Sequence, residues 1–217
     1  MKLKEFVLWG YKLELDESRA FTLENRCVCA HFERHFKGVE TECVYRVVVK
    51  LSEGDSRDGT SEVSNSVLKY YAPFDFNSFR KLEIHERKEL LLFTLHSCLL
   101  RLCEANGWDK EPFEVAKSNV IEEKFLNSYE VSRKSNPARS MVASLIAEHT
   151  ADNFKLDIVV TNSSGKKLLK KSVLSEEPDE FLFNGQIGRI KWESNDVLNY
   201  IAKDNSVLEI INLNLND

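Results

Sequence analysis

The stretch HERKELLLFTLHSCLLRLCEANGW, residues 85–108, constrains the fold more than any other part of the chain. It holds no proline, and its one glycine, Gly107, stands where a helix commonly ends in the left-handed conformation. Thr94, Ser97, Arg101 and Glu104 recur at helical spacing as one narrow polar stripe. Leu91, Leu92, Phe93, Leu95, Leu99, Leu100 and Leu102 occupy the rest of the circumference. A helix apolar over most of its surface has to be covered on several sides, so this one is expected at the centre of a core. A second helix is expected from Asp109–Pro112, where Asp caps and Pro suits the first turn, to about Leu126. Its inward residues would be Phe113, Ala116, Val120 and Ile121.

Strand patterns stand on both sides of this helical middle. Val7, Trp9, Tyr11, Leu13 and Leu15 share one face at period 2, and DESR (16–19) reads as a turn. Further strands are expected at about 21–35, 39–51 and 67–72, with SEGDSRDGTSEVSNS (52–66) as a long polar loop. A polar linker, NSYEVSRKSNP (127–137), leads to ARSMVASLIAEHT, FKLDIVVTN and KKLLKKSVL, a meander whose last two strands turn at NSSG (162–165). FLFNGQIGRIKW (181–192) reads as a fourth strand. The end, DVLNYIAKDNSVLEIINL, fits a short helix and a strand, or a hairpin turning at Lys203–Asn205; the first is preferred. Strands, then helices, then strands predict an α+β fold with antiparallel strands at both ends packed around a central helix pair. One domain is expected over 1–217, with a β region at 1–72, helices at 77–126 and a second β region at 138–217.

Composition narrows the function classes. The net charge of −5 gives no basic field to attract phosphates, so nucleic-acid binding is not expected. No apolar run approaches the ~20 residues of a membrane helix. The N-terminal MKLKEFVLWGYKLELDESR alternates and meets charges too soon for a signal peptide. Five cysteines without a secreted-scaffold spacing suggest reduced thiols and a cytoplasmic protein.

RCVCAHFERH (26–35) is the main chemical candidate. If 21–35 and 39–51 form a hairpin turning at Phe36-Lys37-Gly38, then His31 lies opposite Cys43, Cys29 opposite Tyr45 and Cys27 opposite Val47, on the apolar face. In that register Cys29, His31 and Cys43 converge as soft ligands suited to zinc or to thiol chemistry. The simpler reading is core packing, since free cysteine packs as a small hydrophobe. His35, at the turn, takes no part in either. On the central helix, His85 and His96 are ~16 Å apart, and Cys98 and Cys103 sit roughly 140° apart around the axis, so neither pair forms a site. Asp55, Asp58 and Gly59 lack calcium-loop spacing because Arg57 stands where an oxygen ligand belongs. NGQIGRI (184–190) lacks phosphate-loop spacing, and KKLLKK (166–171) suits an edge strand. No cofactor is expected.

The block FNSFRKLEIHERKELLLFTLHSCLLRLCEANGWD (76–109), flanked by strands and followed by GRIKW (188–192), resembles immunity proteins of bacterial polymorphic and contact-dependent toxin systems in size and layout. The resemblance implies a non-catalytic protein that binds and neutralises a cognate toxin, a basic toxin domain in the expected form. Asp55, Asp58 and Glu62, in the polar loop, are the exposed acids expected to meet such a partner. Two alternatives stay open: a metal- or thiol-dependent enzyme or sensor centred on Cys29, His31 and Cys43, and a structural subunit of a larger assembly.

Overall fold

The computed structural model describes residues 1–213; positions 214–217 of the expected C-terminal β region lie outside the described residues. The fold is α+β, and contacts gather into two compact units, Met1–Asn127 and Ser128–Asp217, where the sequence reading had drawn one domain.

The first unit opens with β1 (Lys2–Leu3), β2 (Glu5–Gly10), α1 (Leu15–His35), β3 (Val39–Glu40), β4 (Arg46–Ser52), β5 (Ser61–Ser64) and β6 (Val67–Pro73). A short α2 (Phe76–Phe79), α3 (Ile84–Asn106) and α4 (Glu111–Glu122) complete it. β1 pairs with β3, and the main sheet has the order β2-β4-β6-β5. Its β2-β4 and β4-β6 pairs are parallel; only β5 runs antiparallel to its neighbour. This corrects the expected antiparallel N-terminal region. Parallel neighbours need a crossover of a dozen or more residues, and α1 provides the first one. The second uses no helix. The loop at 53–60 crosses the end of β6, where Gly59 N–H donates to Tyr71 O and Tyr71 N–H to Thr60 O. β5 then brings the chain back, and Asn65 and Ser66 (φ 50° and 63°) turn it into β6.

The second correction concerns 21–35, which is helical and makes no hairpin with 39–51. The interior of α1 is unusually polar because it seals the outer edge of β2. Ser18 Oγ donates to Gly10 O at 2.8 Å, Asn25 Nδ2 to Leu8 O at 3.0 Å and Arg26 to Phe6 O at 2.7 Å. Phe6 N–H donates to Glu33 at 2.6 Å. An exposed strand edge invites pairing with another chain, and α1 occupies this one.

α3 is the core helix the sequence announces. Leu91, Leu92, Leu95, Leu99 and Leu102 are at most 1% exposed. Gly107 (φ 66°) closes it in the left-handed conformation. Phe113, Ala116 and Val120 of α4 are fully buried, while Ile121 faces outward. Phe6 and Leu8, Val47, Val49 and Leu51, and Leu68 and Tyr70 form the covered face of the sheet.

The second unit contains β7 (Ser128–Ser135), β8 (Met141–His149), β9 (Phe154–Asn162), β10 (Lys167–Glu176), the short α5 (Glu180–Phe183), β11 (Arg189–Trp192), β12 (Val197–Ile201) and β13 (Val207–Asn212). β10-β9-β8-β7 and β11-β12-β13 are antiparallel meanders. Alternate residues of β8 and β9 share one core with Ile190, Leu198, Tyr200 and Ile211. The expected linker 127–137 is mostly strand β7, the first half of 181–192 is a helical turn, and the C-terminal segment is the hairpin β12–β13. KKLLKK lies on edge strand β10, and the NSSG turn stands, with Asn162 Oδ1 accepting from Ser164 and Lys166 N–H. Gly188 is required because a Cβ there would meet Ile201 O at 2.3 Å.

Candidate functional site

The main sheet of the first unit has two unequal faces. Helices cover one. On the other, the registers set Glu5 beside Arg46 and Val67, Val7 beside Val48 and Lys69, and Trp9 beside Lys50 and Tyr71. The period-2 stripe seen in the sequence, Val7-Trp9-Tyr11, therefore lies on the uncovered face, and Phe6 and Leu8 face the core. Trp9 is 48% exposed and Tyr45 39%.

Charges and rings on this face are held in place. The rings of Tyr11 and Tyr71 meet edge-on at 5.8 Å. Lys50 Nζ stands 4.8 Å from the Tyr11 centroid, and the Arg57 guanidinium 4.1 Å from that of Tyr71. Arg57 also donates to both phenol oxygens, at 2.6 Å to Tyr11 and 3.0 Å to Tyr71. Such cation–ring contacts contribute about 0.5–1 kcal/mol each at exposed sites. Asp55 anchors the guanidinium, accepting from Arg57 Nε at 3.1 Å and pairing with Lys12 Nζ at 2.8 Å. Hydrogen bonds from Arg57 and then Lys12 hold the Asp55 carboxyl far below the usual carboxylate range. Glu62 accepts from Tyr71 Oη at 3.0 Å and pairs with Lys69; these contacts lower its carboxyl as well. At the other end Glu5 accepts from Tyr45 Oη and Arg46 Nε, both at 2.6 Å.

The expected acidic trio is thus altered. The side chain of Asp55 is only 3% exposed, beneath Lys12 and Arg57. Asp58 accepts the Asp55 N–H at 3.1 Å and is half-buried. Glu62 alone is exposed, and it is already paired. Arg57, which spoils the calcium spacing, turns out to organise the loop; no sequence signal marked its two tyrosine partners.

The expected soft-ligand trio does not assemble. Cys29 and His31 are two positions apart on a helix, so they point to nearly opposite sides. Cys29 is fully buried near Asn25, and burial pushes its thiol up to about 12. His31 turns toward α4, and Cys43 is exposed between β3 and β4. The hairpin register that joined them belonged to a strand that is a helix. Burial likewise raises Cys98 to about 12 and Cys103 to about 11, which leaves them protonated and inert near neutral pH.

A shallow depression of about 500 Å³ lies at the ends of β4 and β6, lined by Glu53, Gly54, Pro73, Phe74, Asp75 and Asn77. Asp75 caps α2 through Ser78, and Glu53 accepts from Asn77 at 3.0 Å, so neither acid is poised for chemistry. Among the described residues no helix is long and apolar enough to cross a membrane. Comparison with known protein families, curated proteins and solved structures finds no match.

Proposed function

We propose that this chain is a non-catalytic protein-binding module whose partner docks on the uncovered face of the β2-β4-β6-β5 sheet, and that neutralising a toxin domain is its specific task. The exposed Trp9, beside half-buried Lys50 in a row that ends on Tyr71, itself 2% exposed against Arg57 and Glu62, carries the reading. Trp, Tyr and Arg dominate binding hot spots, and the two aromatics bury large area at small entropic cost. Around Trp9, Arg57 is held by Asp55, Tyr45 and Arg46 by Glu5, and Tyr71 by Glu62, so docking finds these neighbours already ordered.

The charge of the face defines the partner. Arg46, Lys50, Lys69, Arg57 and Lys12 stand against Glu5, Asp55 and Glu62, a local excess of cations on a chain of net charge −5. The partner is therefore read as presenting an apolar anchor ringed by carboxylates, in place of the basic surface first expected. The test is a binding titration with the product of the neighbouring gene. Trp9→Ala and Lys50→Ala should weaken a nanomolar-to-micromolar complex while the fold persists; unaltered binding by both would overturn the assignment of the face.

Assembly into a larger structure is a second reading, favoured by the apolar stripe on β13, where Val207, Leu208 and Ile210 are 49–58% exposed. A concentration-independent monomer in sedimentation would remove it.

A further inference from the structure

Away from the sheet face, three ligating side chains meet where α1 and α4 end. His31 and His35 are one helical turn apart on α1 and so project from the same side. Glu123 directly follows α4. One donor atom from each lies within 4.8 Å of the other two. His31 Nε2 is 2.7 Å from Glu123 Oε2, and His35 Nε2 is 3.2 Å from the same oxygen.

We infer that His31, His35 and Glu123 form a binding site for a divalent transition metal, zinc foremost, that ties the end of α1 to the end of α4. Two imidazoles and a carboxylate with an open fourth position are a zinc donor set. Donors at zinc distances and tetrahedral angles stand about 3.4 Å apart, so Glu123 Oε2 has to withdraw from His31 by less than an ångström while the widest separation, 4.8 Å, has to close. Glu123, 39% exposed at a helix terminus, supplies the first adjustment, and rotation of His35, 17% exposed at the end of α1, supplies the second.

Further observations point to a cation here. His35 Nε2 is shielded from solvent and faces the Glu123 carboxylate at 3.2 Å. The C-terminal ends of α1 and α4 both lie at the cluster, and helix C-termini carry partial negative charge. Positive charge is already drawn in, since Arg34 donates to Glu123 Oε2 at 2.9 Å. His31 is 1% exposed, so one nitrogen donor is held in place, with the His35 ring centroid 5.3 Å from that of His31. Arg34 is the competitor. It is 26% exposed and can move aside into solvent, leaving the Glu123 side open to water.

This site is separate from the Trp9 face, and its test does not depend on any partner. Full-length chain, purified without a histidine tag, is titrated with Zn²⁺ by calorimetry and with Co²⁺ by visible absorption. One equivalent per chain is expected, with the d–d bands of a low-symmetry four-coordinate site. His35→Ala and Glu123→Gln should each weaken binding at least tenfold while the metal-free circular dichroism stays the same; both positions are partly exposed, so the fold tolerates them. Arg34→Ala should tighten it several-fold, an effect that a purely structural ion pair does not produce. No Co²⁺ spectrum from folded protein, or uptake unchanged in both weakening variants, would overturn the site.

Discussion

The first unit builds a largely parallel sheet and leaves one face uncovered, whereas the second folds two antiparallel meanders onto a shared core. In the second, Met141, Ala143, Leu145 and Ala147 on β8 and Phe154, Leu156, Ile158 and Val160 on β9 simply alternate with outward residues. In the first, α1 both packs and closes a strand edge. Its buried Ser18 and Asn25, and its partly buried Arg26 and Glu33, satisfy backbone groups that have no strand partner. Buried polar residues of α1 thus serve the edge of a strand, while in the second unit the buried Asn136 serves a loop, accepting from Met141 N–H and donating to Asn195 O.

The comparison breaks most visibly in the second unit's core. Phe154 is fully buried and stacks on Phe183 at 3.7 Å. Phe154→Ala should cost about 3–5 kcal/mol. Hydrogen exchange should show the loss concentrated between 128 and 213; equal loss in β2 and β4 would show that the two units unfold as one.

Next in size is the sealed edge. Asn25 is 1% exposed, and its amide donates to both Leu8 O and Phe21 O. Asn25→Ala should cost about 1–3 kcal/mol in urea denaturation, since it leaves a buried carbonyl unpaired. A loss within about 0.5 kcal/mol, as at an indifferent surface position, would mean that water already serves that edge.

These two regions also explain what the sequence made legible. α3, α4 and strands β8 and β9 could be read because burial there follows a single period, the NSSG turn because Asn162 caps it, and the edge position of KKLLKK because its lysines fall on both faces. The helix 15–35 could not, because its edge-sealing polar residues interrupt the apolar stripe and RCVCAHFERH then mimics alternation. The same error hid the nearness of His31 to His35, which a helical reading places one turn apart. Glu123, far along the chain, left no signal. The stripe Val7-Trp9-Tyr11 was visible, but only the structure shows that Phe6 and Leu8 claim the core. The hairpin at Asn65-Ser66 was missed because its turn contains no glycine.

A smaller effect is expected from pH. Burial, with help from Lys117, lowers the pKa of His96 below its ordinary 6.5 against the opposing pull of Glu114. The fold therefore prefers the neutral imidazole. Its contribution is complete above pH 6.5 and declines as pH falls through 6.5 and below. The urea midpoint should drop across that window, and His96→Gln should reduce the drop; an unchanged profile would place the acid sensitivity elsewhere.

The smallest effect on stability should come from Trp9→Ala, within about 0.5 kcal/mol, because the ring rests on the uncovered face. The same change therefore tests the central claim most directly, by titration of the wild-type chain and the variant against the product of the neighbouring gene. A loss of about 2 kcal/mol or more in binding, roughly thirtyfold in Kd, is expected with thermal stability unchanged. Equal affinity of the two chains would contradict the claim that this face receives the partner.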